Sequence, residues 1–208
     1  MDAVTLYVTK PSVPSDKPLV GVLYLTDVFG IQLAENKLYE HLSLQNTRGM
    51  IIWLTSISRL ADSFARAGYL TVAPDLFNGT PAPSDLSDPK FNQSAFLSAH
   101  GPSSADLIIQ TGLEYLRTSL GVKRVAATGY CYGGRYAIRA VAAKHADVGF
   151  AAHPSLWEDA EALGIKGPLS IAAAGTYNVA YPDMLHKETP SRSSTLFAKV
   201  TGSNPVGK

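Results

Sequence analysis

Cysteine is nearly absent: Cys131 is the one thiol in 208 residues. An internal disulfide is therefore excluded, and no Cys/His cluster has metal-ligand spacing. Charge of either sign is scarce as well. Lys and Arg number 18 against 17 Asp and Glu, a formal net charge of +1. That balance, with no basic run interleaved with aromatics, argues against a nucleic-acid partner. The longest apolar run, Met50 to Leu54, is far too short to cross a bilayer, so no membrane partner is expected. The N-terminus, MDAVTLYVTK, lacks a basic head followed by an apolar stretch. No secretory signal is read there, and a cytoplasmic location is expected. Neither G-x-G-x-x-G nor G-x-x-x-x-G-K-[ST] occurs, which disfavours a nucleotide-binding protein. No cofactor is expected.

What is present is a 46% hydrophobic chain, enough to bury the core of about one domain. Apolar runs of strand length alternate with helical stretches. Leu19 to Thr26, Leu70 to Pro74, Arg124 to Gly129, Val148 to Ala152 and Leu169 to Ala174 are short and almost wholly apolar. Strands covered on both faces of a parallel sheet have that composition. Thr5 to Thr9 reads as an additional edge strand. Ala61 to Ala67, Ser104 to Ser119 and Gly134 to Lys144 read as helices, the second with Leu107, Ile108, Gly112, Tyr115 and Leu116 on one side. This alternation predicts an α/β fold, a mostly parallel open sheet with helices on both faces.

Ligands in such sheets bind at the carboxyl ends of the strands. Four strand ends stand out: Asp27-Val28-Phe29-Gly30, Asp75 to Gly79, Tyr130 to Gly134, and His153-Pro154-Ser155. The third is the most specific. A nucleophile elbow needs a strand, a sharp turn holding the nucleophile in strained backbone, and a helix, with small residues on either side. Gly129-x-Cys131-x-Gly133 meets that pattern with Cys in the Ser position. The helix N-terminus directs unpaired N–H groups and the positive end of its dipole at the sulfur, favouring thiolate. The competing reading is a buried, inert thiol.

TDVFGI (Thr26 to Ile31), FARAGYLTVAPDLFNGTPAP (Phe64 to Pro83), GVKRVAATGYCYGGRYAIR (Gly121 to Arg139) and GFAAHPS (Gly149 to Ser155) resemble the fungal branch of the dienelactone hydrolase family. The resemblance implies an α/β-hydrolase that opens lactones or other carboxylic esters with a Cys-Asp-His triad, and a small-molecule ester or lactone as the partner. It makes Cys131 the nucleophile, with the backbone N–H groups of Val28 and Tyr132 as oxyanion donors. In bacterial relatives an acidic residue at the Asp27 position interacts with the resting nucleophile; here Asp27 is a methylene shorter than their Glu, and a turn-capping role competes with that one. Phe29, Phe77, Asn78, Tyr130 and His153 are expected to line the pocket. Arg135, on the helix after the elbow, reads as an ion-pair residue.

The chain departs from the family in two places. Leu38 to Arg59 interrupt the template between a loop and its following helix, and resemblance ends near Gly175. Tyr177 occupies the position of the triad Asp, and the segment carrying the His, with the last strand and final helix, is not found. The tail, 175–208, reads as irregular. Leu169 to Ala174 is then expected to be an exposed sheet edge open to self-association, with one sheet face uncovered. An unassisted Cys131 follows, and with it an impaired hydrolase. A non-catalytic binding protein of hydrolase fold, or the product of a faulty gene model with retained introns, are the alternatives. A transcript lacking the codons for Leu38 to Arg59 would support the last.

Overall fold

The computed structural model describes residues 4–11, 20–31, 56–174 and 195–200. Its strands are β1 (Leu6–Thr9), β2 (Val20–Leu25), β3 (Leu70–Pro74), β4 (Arg124–Tyr130), β5 (Val148–Ala152), β6 (Leu169–Ala174) and β7 (Thr195–Val200). They form one sheet in the order β1-β3-β2-β4-β5-β6-β7. The five central strands are parallel, and β1 and β7 are antiparallel to their neighbours. The helices are α1 (Ser56–Arg66), α2 (Gln93–Ala99), α3 (Pro102–Glu114), α4 (Tyr132–Ala142) and α5 (Asp159–Leu163). A π-helical turn, Tyr115–Ser119, continues α3.

From β2 the chain moves outward to β3, whereas β4, β5 and β6 run in the opposite direction across the sheet. The order therefore reverses between β2 and β4. That reversal opens a crevice at their carboxyl ends, because the two following connections leave on opposite sides. Asp27 and Val28 follow β2 there, and Cys131 follows β4.

Alternation along the strands divides the core into two layers. Val125, Ala127, Ala151, Leu169 and Ile171 meet Tyr136, Ile138 and Val141 of α4 in one buried cluster. Ile108, Ile109, Leu113 and Leu116 join it from α3 and the π-turn. The expected inner face of that helix needs correction: Leu107 is 47% exposed, and Ile109 and Leu113 take the core positions. On the opposite face, an apolar hollow of about 360 Å³ is lined by Phe64, Ala126, Tyr130, Val148 and Phe150 among others.

The tail also requires a correction. Thr195–Val200 is a strand rather than irregular chain, and it pairs with all six residues of β6, Leu169↔Val200 through Ala174↔Thr195. β6 is thus hydrogen-bonded on both sides and is not the open edge on which self-association was expected. The physical reason is that an apolar edge strand leaves N–H and C=O groups to be satisfied, and the TLFAKV run can satisfy them. Residues 38–55 of the interrupting segment lie outside the described residues, as do Tyr177 and the rest of 175–194; Ser56 to Arg59 open α1.

Two arginines of α4 tie it to its neighbours through Glu161. Arg135 Nε sits 3.0 Å from both Glu161 carboxylate oxygens, and its Nη2 is 2.7 Å from Glu158. Arg139 Nη1 lies 2.6 Å from Glu161, and its other nitrogens engage Asp106 of α3. Burial pushes the Glu161 carboxyl up, but Arg135, the Glu158 N–H and Arg139 outweigh it and hold the group below the usual glutamate range. A depressed carboxylate binds fewer protons folded than unfolded. Its stabilisation is complete above the unfolded-state value of about 4.3 and is lost as pH falls through the lower folded-state value. Glu161→Ala removes a carboxylate, only 8% exposed, that two guanidiniums share, leaving Arg135 with Glu158 alone and Arg139 with Asp106 alone. It is expected to cost about 3 kcal/mol at neutral pH by chemical denaturation, a deficit that narrows in acid.

Candidate active site

Three glycines make the turn at the end of β4 possible. A Cβ on Gly129 would fall well under 3.0 Å from the Gly133 carbonyl, and one on Gly133 equally close to the Leu25 and Thr26 carbonyls. A Cβ on Gly134 would lie 2.9 Å from the Pro154 Cα. Strand, turn and helix are therefore packed backbone to backbone, which only hydrogen side chains permit. The Gly133 N–H donates to the Thr26 carbonyl at 3.0 Å, pinning the start of α4 to the end of β2.

Cys131 sits at the N-cap of α4 with φ 50° and ψ −114°. A non-glycine residue in that region is strained and is held by its surroundings. Its own N–H donates to the Ala152 carbonyl at 3.0 Å, and its carbonyl accepts from Ser155 N–H at 3.1 Å and Gly134 N–H at 3.0 Å. The strain turns the half-buried sulfur out of the strand, at the head of the helix. Among the described residues its hydrogen-bond partner is the Ser155 hydroxyl, 3.5 Å away.

The backbone N–H groups of Val28 and Tyr132 have no acceptor among the described residues. For Tyr132 this follows from its place as the first residue of α4, where helical N–H groups have no intrahelical partner. For Val28 it follows from the turn after β2, where Asp27 Oδ1 accepts the Phe29 N–H at 2.9 Å and leaves the intervening N–H unused. Asp27 is thereby a turn-capping residue. Burial raises its carboxyl above the usual aspartate range, the Phe29 N–H and the nearby His153 opposing that rise.

The four strand ends do converge. Ala82, beyond β3, donates its N–H to the Val28 carbonyl at 2.9 Å, and the elbow bonds to the ends of β2 and β5. The expected lining residues separate, however. Phe77 is fully buried and is corrected from pocket lining to core. Asp75 accepts the N–H groups of Phe77 and Gly79, at 3.1 and 2.7 Å, and so folds the turn inward. The Phe77 ring then lies 5.1 Å from that of Tyr132 and 5.4 Å from that of Phe96. Tyr130 faces the hollow on the sheet face opposite α4, with ring centroids 5.5 Å from Tyr24 and 6.2 Å from Phe150. Phe29 is half-buried, and Asn78 and His153 are exposed, each of the latter two with positive φ. The Tyr132 hydroxyl donates to the His100 carbonyl and meets the Tyr136 hydroxyl at 3.1 Å, which anchors the elbow helix from below. Among the described residues no group of three acidic, His or Cys side chains is arranged to hold a metal, and no helix is long and apolar enough to cross a membrane.

Ser155 was reachable from sequence only as the last residue of its strand end; no spacing rule connects it with Cys131 across 24 residues. Glu161 gave no signal, because the helix that carries it is five residues long.

A mostly parallel sheet with a nucleophile-type elbow at its switch point defines an α/β-hydrolase fold. The solved structure named m3DLH shares it, with a TM-score of 0.59 at 16% identity over 86% of this chain and 67% of that one. The sequence model of the dienelactone hydrolase family matches residues 42–189, and the chain belongs to that family. Among curated relatives, the hydrolase pyvD of Aspergillus violaceofuscus is 36% identical over 197 residues, 95% of this chain and 69% of its own length. The hydrolase tropI of Talaromyces stipitatus is 34% identical over 81% of this chain, which spans 61% of that relative.

Proposed function

We propose that this chain is a carboxylic ester or lactone hydrolase in which Cys131 attacks the acyl carbon and the N–H groups of Val28 and Tyr132 receive the oxyanion. The observation that carries the reading is the sulfur in strained elbow geometry at a helix N-terminus, with the N–H groups of Val28 and Tyr132 lacking acceptors among the described residues. Attack of the thiolate on an ester carbonyl moves negative charge onto the carbonyl oxygen, where preorganised N–H donors stabilise it most. Collapse of that adduct expels the alkoxide and leaves a thioester, which water then opens. Membership of a hydrolase family and likeness to two fungal hydrolases support the same reaction class. The half-buried Phe29 beside Val28 favours an apolar or aromatic acyl group.

Because Cys131 is the sole cysteine, iodoacetamide tests the reading at one atom. Hydrolysis of an activated aryl ester is expected to disappear in proportion to alkylation followed by intact mass. Turnover that survives complete alkylation would sink the proposal. A second reading, a binding protein with a quiet thiol, is favoured by one observation: the described partner of the sulfur is a hydroxyl rather than an imidazole. Wild-type protein that binds aryl esters without turning them over would establish it.

A further inference from the structure

The loop after β5 is clamped to the elbow at several points. Cys131 N–H reaches Ala152, Ser155 N–H reaches Cys131, and Pro154 packs against the bare Cα of Gly134. Positive φ values at His153 and Leu156, on either side of Pro154 and Ser155, bend the loop back toward the helix. Ser155 is half-buried, and its Oγ is 3.5 Å from the Cys131 sulfur. Among the described residues that hydroxyl has no other hydrogen-bond partner, so its proton is free to point at the sulfur. A thiolate has no proton of its own, so in that state the hydroxyl must be the donor.

From this juxtaposition we propose that Ser155 is a positioning residue for Cys131, its hydroxyl donating to the thiolate and holding it at the mouth of the crevice. The proposal rests on the reading of Cys131 as a nucleophile and deepens it. A hydrogen bond to a charged acceptor is roughly twice as strong as a neutral one, so it favours the ionised sulfur over the thiol. The hydroxyl moves no proton to or from substrate; it stabilises the attacking form and fixes its direction. The titratable groups on the elements that meet at the elbow are Asp27 beyond β2, His153 beyond β5, and Arg135 in the first turn of α4, which Glu158 and Glu161 engage. All are retained in the variants that test the idea.

The experiment is the pH dependence of Cys131 alkylation by iodoacetamide in the full chain, which needs no turnover. Ser155→Ala is expected to raise the midpoint of the rate profile by about one pH unit, the size expected of a charge-assisted hydrogen bond. Ser155→Thr, which keeps a hydroxyl, is expected to stay near the wild-type midpoint and serves as the second variant if the alanine form does not fold. Coincident profiles for wild type and Ser155→Ala, a Ser155→Thr profile shifted like that expected for alanine, or a wild-type sulfur that does not titrate would each overturn the proposal. The outcomes separate from those of the hydrolase reading: ester turnover independent of Cys131 removes the reaction, whereas an unmoved alkylation profile removes only the role of Ser155.

Discussion

Cys131→Ala is expected to lower hydrolysis of an activated aryl ester at least about a hundredfold while leaving the thermal midpoint nearly unchanged. The two halves of that expectation have one origin. Alanine keeps the Cβ that makes φ 50° costly, so the elbow strain is the same with and without the sulfur. The glycine contacts, the Gly133 to Thr26 bond and the helix start are likewise untouched. Only Sγ is removed, and with it the atom that forms the acyl bond. The residual rate would come from the donors of Val28 and Tyr132 acting on attack by water. Cys131→Ser is expected to fall nearly as far, because an alcohol at a helix N-terminus stays protonated where a thiol ionises. Initial rates on a p-nitrophenyl ester, with matched melting curves, check both halves. An unchanged rate in the alanine form would assign any hydrolysis to another group.

Gly133→Ala is expected to abolish the folded state or to destabilise it by more than about 3 kcal/mol, at the upper end of the cost of overpacking. The added methyl would collide with the carbonyl groups of Leu25 and Thr26. Leu25 ends a central strand and is paired there with Gly129 of β4, and the Thr26 carbonyl already accepts the Gly133 N–H, so these groups cannot rotate away as a side-chain tip could. Relief requires α4 to move off the sheet, breaking the Gly133 to Thr26 bond and exposing a helix on which eight residues are buried. Gly68→Ala is the internal comparison. Gly68 has positive φ, 96°, which Gly133 in its helix does not, and nothing lies within 4 Å of its would-be Cβ. Its substitution carries conformational strain alone, about 1–2 kcal/mol. Urea denaturation of the two variants separates collision from strain, and equal destabilisation would show that the elbow is not packed as described.

Much of the fold is legible in the order of residues because its causes are local. Leu70–Pro74, Val148–Ala152 and Leu169–Ala174 run between the bounds that their apolar composition predicts; Leu70–Pro74 is buried nearly throughout, as such a composition implies, whereas Val148–Ala152 is only partly buried and lines the hollow on one face. The elbow is legible for a related reason. Gly129, Gly133 and Gly134 each mark a place where backbone meets backbone, and nothing larger is tolerated there. Resemblance to one hydrolase family, carried by those same segments, agrees with the family match.

What depends on distant partners was not legible. Phe77 reads as a rim residue by its position after a strand, yet the Asp75 carboxylate folds its turn inward and the ring joins the core. The pairing of Thr195–Val200 with β6 is decided by which edge is left unsatisfied once the other strands have assembled. The sequence by itself determined the layered α/β architecture and the placement of Cys131, because strand composition and glycine packing act within a few residues. Val28 and Tyr132 were reached through the family resemblance; only the tertiary structure decided that their N–H groups lack acceptors among the described residues and that the hydroxyl of Ser155 lies beside the sulfur of Cys131. Those contacts join separate strand ends, and strand order across the sheet, rather than spacing along the chain, brings them together.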